Sequence, residues 1–273
     1  MLKFLVAIII FLSIVMINLF KDSNNICDID DDLYIQTKFV NHKLCNPLYK
    51  PKLNRKFIYL SFDDGPLNGS QNINNLALKY KAYMSVLVVG EHLLISNHYK
   101  EYFNNYMKNP FIDVGNHSYS HANNQYNKFY NNPIEALNDF NKTKHLLGLN
   151  SKIVRLPGRN TWAFDNRTHN IGKTKKLITL LNNDGFRVIG WDIEWKYDPI
   201  TKNPIGTAQE FFNKLVKKIN KNNELFTKSN IVVLLHDPMF RKKSKAKELE
   251  KLITLIKANK NYVLVPLSRY PII

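Results

Sequence analysis

The sequence predicts an α/β fold in which a parallel sheet curls into an incomplete barrel. Short apolar stretches alternate with helical stretches about seven times over roughly 215 residues, a pattern typical of parallel sheets. Polar residues also gather where successive apolar stretches end, and in a barrel these C-terminal strand ends share one mouth. An active site is therefore expected at that mouth. An open, doubly wound sheet is the alternative architecture.

The strands are predicted from apolar runs bounded by polar residues, glycine or proline. The first run, residues 57–62, is apolar and aromatic, and the chain breaks at Gly65-Pro66. This composition is typical of a buried strand. Further strands are expected at residues 83–90, 111–115, 153–155, 187–193, 231–235 and 262–265.

The helices are predicted between these strands. Pro133 suits the first turn of one helix, and Thr207 is a good N-cap for another. The expected ranges are residues 73–80, 91–107, 133–147, 173–182, 207–219 and 244–257.

Residues 1–22 are predicted to be an export signal that stays as a membrane anchor. Lys3 precedes an apolar run from Phe4 to Phe20, at the short end of a membrane span and without a small-x-small cleavage site after it. We expect an exported domain facing the periplasm or the cell exterior. A cleaved signal peptide, and hence a secreted protein, is the alternative.

Residues 23–55 are polar and irregular, and we expect a linker or extension ahead of one domain at 56–273. Cys27 and Cys45 both lie in this stretch. In an exported protein such a pair predicts a disulfide, with two free thiols as the alternative.

The formal net charge is +17, which raises the question of a nucleic-acid partner. The lysines are scattered among asparagines rather than gathered in a block, so we expect no nucleic-acid partner. A basic surface equally suits anionic membranes or an acidic polymer. We expect a monomer.

Residues capable of metal and proton chemistry follow several of the predicted strands. Asp63 and Asp64 follow the first strand, and His117 and His121 follow the third. A His-x-x-x-His pair with one carboxylate makes a three-ligand site with open positions, which suits zinc. His236 follows the sixth strand and can exchange a proton near neutral pH.

Five segments in this order resemble the motifs of the polysaccharide deacetylases, carbohydrate esterase family four. The resemblance covers residues 56–270. The segments are Ser-Phe-Asp-Asp-Gly-Pro from Ser61, His-Ser-Tyr-Ser-His from His117, Arg-Leu-Pro-Gly from Arg155, Trp-Asp-Ile-Glu-Trp from Trp191 and Leu-Leu-His-Asp from Leu234. The resemblance implies a distorted seven-stranded (β/α) barrel.

The resemblance also implies roles for the residues at the strand ends. Asp63 corresponds to the catalytic base, and Arg155 to the arginine that pairs with the base and holds it. Asp64, His117 and His121 correspond to the ligands of a divalent metal, for which zinc is expected.

The later motifs imply a substrate pocket and an acid. The backbone N–H of Gly158 corresponds to a donor to the oxyanion, and His236 to the general acid. Leu234 and a tryptophan of the fourth motif, for which we choose Trp195, correspond to the wall around the acetyl methyl group.

The fourth motif departs from the family pattern. In the family an acidic residue directly precedes the tryptophan and the motif is longer, whereas the segment in this sequence is compact. Asp192 and Glu194 are both candidates to pair with His236, and we choose Asp192. A carboxylate there is expected to raise the pKa of His236 and keep it an acid.

The resemblance implies metal-dependent hydrolysis of N-acetyl groups on an amino-sugar polymer. With the predicted anchor, it favours peptidoglycan or poly-N-acetylglucosamine of the cell envelope as the substrate, followed by chitin or acetylated xylan. A non-catalytic glycan-binding protein on the same fold is the alternative, although the complete set of acid, base and metal residues argues against it.

Overall fold

The central strand of the sheet is β1 (Lys56–Gly65), which carries the first motif. A computed structural model describes residues 55–272 of the chain. Along its length β1 pairs in parallel with β9 (Asn230–His236). On its other side it pairs with β10 (Tyr262–Leu264) near its start and with β2 (Met84–Val88) near its end.

Most of the remaining elements alternate along the chain as the sequence predicts. The other strands are β3 (Ile112–Asn116), β4 (Ile153–Val154), β5 (Trp162–Phe164), β6 (Arg167–His169), β7 (Arg187–Val188) and β8 (Ile193–Glu194). The α-helices are α1 (Ser70–Tyr80), α2 (His92–Ile95), α3 (Asn97–Lys108), α4 (Tyr126–Asn131), α5 (Pro133–Leu146), α6 (Lys175–Asn183), α7 (Ala208–Asn220) and α8 (Lys243–Lys257).

The sheet runs in the order β6-β5-β7-β4-β3-β2-β1-β9-β8, with β10 beside β1. Its pairings are parallel except those that β5 makes with β6 and β7. Because β6 and β8 stand at opposite ends of this order, the sheet formed within residues 55–272 does not close on itself. The predicted incomplete barrel is confirmed.

One face of β1 packs against the helices, and the other face carries polar groups. Ile58, Leu60 and Phe62 belong to a large apolar cluster that includes residues of α1, α7 and α8. Side chains alternate along a strand, so Ser61 and Asp63 lie on the opposite face. The strand thus anchors itself in the core and places Asp63 at the mouth of the barrel.

Two predicted elements are divided in the structure. The helix expected over 91–107 breaks at Ser96, whose side chain caps α3 by accepting a hydrogen bond from the N–H of Tyr99. The strand expected over 187–193 becomes β7 and β8, because the carbonyl groups of Ile189 and Gly190 bond to the guanidinium of Arg155. The short helix α4 and the hairpin β5–β6 were not predicted.

Several predictions concern residues outside those described. They are the anchor at 1–22, the linker at 23–55 except for its last residue, and the disulfide between Cys27 and Cys45. Within residues 55–272, no helix has the length and apolar character needed to cross a membrane.

Candidate active site

The strand register brings the predicted catalytic residues to one edge of the sheet. Asp63 at the end of β1 is the register partner of His236 at the end of β9. Two strands away from β1 on its other side, Asn116 at the end of β3 pairs with Val154 in β4. His117 and Arg155 directly follow these two residues, so four strand ends supply the site.

Asp63 is held by Arg155. The guanidinium Nη1 donates to Asp63 Oδ1 at 2.8 Å, and both side chains are buried. Arg155 also donates through Nε to the Ile189 carbonyl at 3.1 Å and through Nη2 to the Gly190 carbonyl at 3.0 Å. These three bonds fix the fork of the guanidinium, and so the orientation of the Asp63 carboxylate.

Asp64, His117 and His121 form a cluster with the character of a metal site. The Nε2 atoms of His117 and His121 lie 3.6 and 3.3 Å from Asp64 Oδ1, and one ligand atom from each residue lies within 4.8 Å of the other two. Asp64 Oδ1 is buried and has no hydrogen-bond partner among the described residues. A mixed nitrogen and oxygen set of this kind fits a divalent metal such as zinc.

The protonation of the cluster suits a cation. Burial raises the pKa of Asp64 to about 7, and the charge of Asp63 adds to this effect. Burial lowers the pKa of His117 well below its usual value and lowers that of His121. The histidines are therefore neutral and able to act as ligands, and a bound cation would favour the ionised form of Asp64.

Backbone conformation aims the ligands at one another. Asp64 has φ +69°, and the four residues from His121 to Asn124 have φ between +48° and +58°, a conformation uncommon for residues other than glycine. His92 Nδ1 lies 2.9 Å from the Asp64 carbonyl oxygen and donates to it. Asp139 accepts from the backbone N–H groups of residues 119 and 120, which anchors the loop between the two histidines.

His236 does not have the electrostatic environment predicted from the sequence. Burial lowers its pKa to about 4, and this effect exceeds the attraction of Asp63, which acts in the opposite direction. His117 and Arg155 lower the pKa further. His236 Nδ1 is buried without a hydrogen-bond partner among the described residues. The expected rise in pKa is therefore corrected to a fall.

Asp192 is not the carboxylate that acts on His236. One of its oxygens accepts from the N–H of Phe226 at 2.9 Å and the other from the N–H of Val232 at 2.7 Å. The carboxylate whose charge acts on His236 is Asp63. Asp192 thus ties β9 to a neighbouring loop. Burial raises the pKa of the half-buried Glu194, and the charge of Asp63 acts in the same direction.

Trp195 does not line the site. It is 2% exposed, stacks on Phe211 with ring centroids 4.9 Å apart, and donates from Nε1 to the Ile205 carbonyl at 2.9 Å. These contacts make it part of the core. Leu234 is also buried, but it stands two residues before His236 on β9, and so on the same face of the strand.

Gly158 follows Arg155 in an exposed turn with φ +63°. A Cβ atom added at this position would lie 2.9 Å from Cε1 of Tyr126. The backbone therefore approaches the Tyr126 ring more closely than other residues would allow. This position at the site is compatible with the oxyanion role implied for its N–H.

Two tyrosines at the site were not predicted. Tyr197 packs edge-on against His236 with ring centroids 4.8 Å apart, and Tyr126 packs edge-on against His121 at 6.0 Å. Both come from segments that connect strands and carry no motif. A tyrosine in such a segment has no sequence signal, because its position depends on how the loop folds back over the strand ends.

One family model matches part of the chain. Residues 50–177 match a family model described as polysaccharide deacetylase. This range contains the first three motifs, from Ser61 to Gly158. No match was found among curated proteins.

Several solved structures have the same fold. The catalytic domain of peptidoglycan N-acetylglucosamine deacetylase from Eubacterium rectale aligns with TM-score 0.60 and 23% identity, covering 81% of this chain and 94% of that one. A CE4 esterase from Streptococcus mutans aligns with TM-score 0.58 and 20% identity, covering 78% and 87%. Peptidoglycan deacetylase PdaC from Bacillus subtilis aligns with TM-score 0.51 and 22% identity, covering 79% and 90%.

Proposed function

We propose that the chain is a polysaccharide deacetylase, the family whose model matches residues 50–177, and that it removes N-acetyl groups from an amino-sugar polymer with release of acetate. The observation that carries this proposal is the arrangement around Asp63. Its carboxylate is held by Arg155 at 2.8 Å, lies 3.6 Å from His117 of the metal-type cluster, and neighbours His236 across the strand pair. Base, cluster and acid thus share one mouth.

Asp64, His117 and His121 would hold the metal, for which zinc is the expected ion. His117 Nδ1 donates to the Arg155 carbonyl at 2.9 Å, so its Nε2 carries the lone pair that faces Asp64. When bound, such an ion polarises the acetyl carbonyl and lowers the pKa of water. Asp64 Oδ1, buried without another partner among the described residues, supports this assignment.

Asp63 serves as the general base that takes a proton from the attacking water. Its pairing with Arg155 keeps the carboxylate in place while it does so. The Gly158 N–H, which borders the site, would donate to the carbonyl oxygen as negative charge develops there.

His236 serves as the acid that protonates the departing amine. In the free protein its pKa of about 4 leaves it neutral at pH 7. Negative charge developing on the substrate oxygen would raise this pKa by Coulomb attraction. His236 would then receive the proton that Asp63 took from the attacking water and pass it to the amine nitrogen as the C–N bond breaks.

Peptidoglycan or poly-N-acetylglucosamine of the cell envelope is the proposed substrate. Two of the structural relatives named above are peptidoglycan deacetylases. The predicted anchor at 1–22 and the formal net charge of +17 suit an enzyme that works on an anionic envelope next to the membrane. We therefore also propose that the domain is exported.

Acetate release across purified peptidoglycan, poly-N-acetylglucosamine, chitin and acetylated xylan tests the proposal. With zinc, we expect release from an envelope glycan, and no release from the Asp63→Asn variant. Release only from chitin or xylan would move the proposed substrate outside the envelope. Binding of glycans by the zinc-loaded protein without release from any of them would support the non-catalytic alternative.

A further inference from the structure

Tyr126 and Tyr197 border the candidate site from its two chemical ends. Tyr126 opens α4 and packs against the ligand His121, with ring centroids 6.0 Å apart and an interplanar angle of 82°. Tyr197 follows β8 and packs against His236 at 4.8 Å and 62°. One phenol ring therefore stands beside the metal-type cluster and the other beside the proposed acid.

The two rings border one continuous group of side chains. The rings of His121 and His117 lie 5.1 Å apart, His117 lies 3.6 Å from Asp63, and Asp63 is the register partner of His236. Tyr126 and Tyr197 contact the two ends of this group, and both side chains are half-buried.

The ring of Tyr126 also packs against the backbone at Gly158. A Cβ atom at residue 158 would lie 2.9 to 3.3 Å from three carbon atoms of the Tyr126 ring. The absence of a side chain at this position allows the ring to lie directly against the backbone proposed to bind the oxyanion. On the other side, the ammonium group of Lys202 lies 5.4 Å from the Tyr197 ring centroid.

Trp195 of the fourth motif does not supply an aromatic surface at the site. Trp195 is 2% exposed and stacked in the core. Trp191 lies with its ring centroid 5.8 Å from the guanidinium carbon of Arg155, the residue that holds Asp63. The half-buried faces beside the cluster and the acid are those of Tyr126 and Tyr197.

We propose that Tyr126 and Tyr197 are the walls of the substrate slot and pack against the pyranose ring that carries the acetamido group. A pyranose presents C–H groups on its faces, and these pack favourably against aromatic rings, whereas its hydroxyl groups remain free for hydrogen bonds. Ring contacts on both sides would hold the acetamido carbon over Asp63 and Asp64. The proposal rests on the proposed function for its ligand class.

Binding measured without turnover tests the slot independently of catalysis. The probe is the tetramer of N-acetylglucosamine, titrated calorimetrically into zinc-loaded protein that carries Asp63→Asn. We expect Tyr126→Ala and Tyr197→Ala each to weaken binding about tenfold, the order of magnitude of losing one aromatic packing contact. Tyr126→Phe and Tyr197→Phe should bind within about threefold of their parent, since the ring makes the contact.

Tyr102→Ala is the matched control, because this half-buried tyrosine lies on α3 and packs against His98 and Tyr99. It should leave the affinity unchanged. In the active enzyme, the two alanine variants should raise KM more than they lower kcat. Zinc content and the unfolding midpoint are measured for every variant.

Unchanged affinity in both alanine variants, with zinc content and fold intact, would overturn the proposal. Equal losses in the phenylalanine and alanine variants would also overturn it, because the hydroxyl groups would then make the contact. If the wild-type protein binds the tetramer but releases no acetate from any glycan, the proposed function fails and the slot still stands. If the zinc-loaded Asp63→Asn protein does not bind the tetramer while the wild-type protein releases acetate from another glycan, the slot proposal fails for this sugar. The proposed function then still stands.

Discussion

His117 and Arg155 are joined by a hydrogen bond from the imidazole Nδ1 to the backbone carbonyl of Arg155, 2.9 Å long. The same arginine holds the proposed base through its guanidinium, at 2.8 Å from Asp63 Oδ1. One residue therefore fixes the tautomer of a proposed metal ligand with its main chain and the orientation of the proposed base with its side chain. The position of the metal-type cluster relative to Asp63 follows from this single strand end.

The first prediction concerns the metal. His117→Ala combined with His121→Ala should abolish stoichiometric zinc binding, since two of three ligands are lost. Metal analysis of the purified protein checks this. His98→Ala on α3, an exposed histidine away from the cluster, should retain the metal. An unchanged zinc content in the double variant would show that the ion binds elsewhere.

The second prediction separates the base from the acid. Asp63→Asn and His236→Ala should each lower acetate release by a factor on the order of 10² or more, the usual weight of a positioned proton transfer. Neither residue belongs to the Asp64, His117 and His121 cluster, so zinc content should stay the same. Asp165→Asn, at an exposed carboxylate, is the control. Loss of zinc together with activity in Asp63→Asn would instead make Asp63 a ligand.

The fold was predictable from the sequence because the strands that carry the motifs are locally encoded. The run at 57–62 is apolar apart from Ser61, and in the structure it lies between β9 on one side and β10 and β2 on the other. The N-cap at Thr207 is likewise a local feature, and it forms a capping box with Glu210. The break between β7 and β8 was not predictable, because the carbonyl groups of Ile189 and Gly190 bond to Arg155, more than 30 residues away.

The same distinction applies to the site. Residues at the ends of predicted strands, such as Asp63 and His236, could be assigned to the mouth of the barrel from the sequence, because parallel strand ends share one edge. Asp192 could not, because its role depends on two backbone N–H groups at residues 226 and 232. The direction of the pKa shift of His236 also required the structure, since burial lowers this pKa by more than the attraction of Asp63 raises it.

The third prediction concerns the three buried hydrogen bonds of Arg155. Arg155→Lys should lower the free energy of unfolding by about 3 kcal/mol, because an ammonium group cannot reproduce the planar fork that serves Asp63, Ile189 and Gly190. Activity should fall as well, since Asp63 loses its orientation. Urea unfolding monitored by circular dichroism measures the change. Arg159→Lys, at an exposed residue in the same loop, should have little effect, and equal stability of the two variants would contradict the structure.

The last prediction concerns Asp192 and has two readouts. Burial raises its pKa to about 6 from 3.8, against the effect of its two N–H donors. A carboxyl group with a raised pKa in the folded state contributes most stability when protonated, and this contribution is lost as pH rises from about 4 through 6. Asp192→Asn removes that dependence. The free energy of unfolding of the variant minus that of the wild type should therefore rise by on the order of 2 to 3 kcal/mol as the pH is raised from 4 to 7.5.

Urea unfolding of both proteins without metal at the two pH values measures this difference, with Asp165→Asn as the exposed control. The second readout is the pH profile of acetate release. Its alkaline limb should stay in place in Asp192→Asn, because the carboxylate that acts on His236 is Asp63 rather than Asp192. A limb that moves in Asp192→Asn, together with a stability difference that is constant with pH, would place the Asp192 carboxylate beside the acid and away from the N–H groups of Phe226 and Val232.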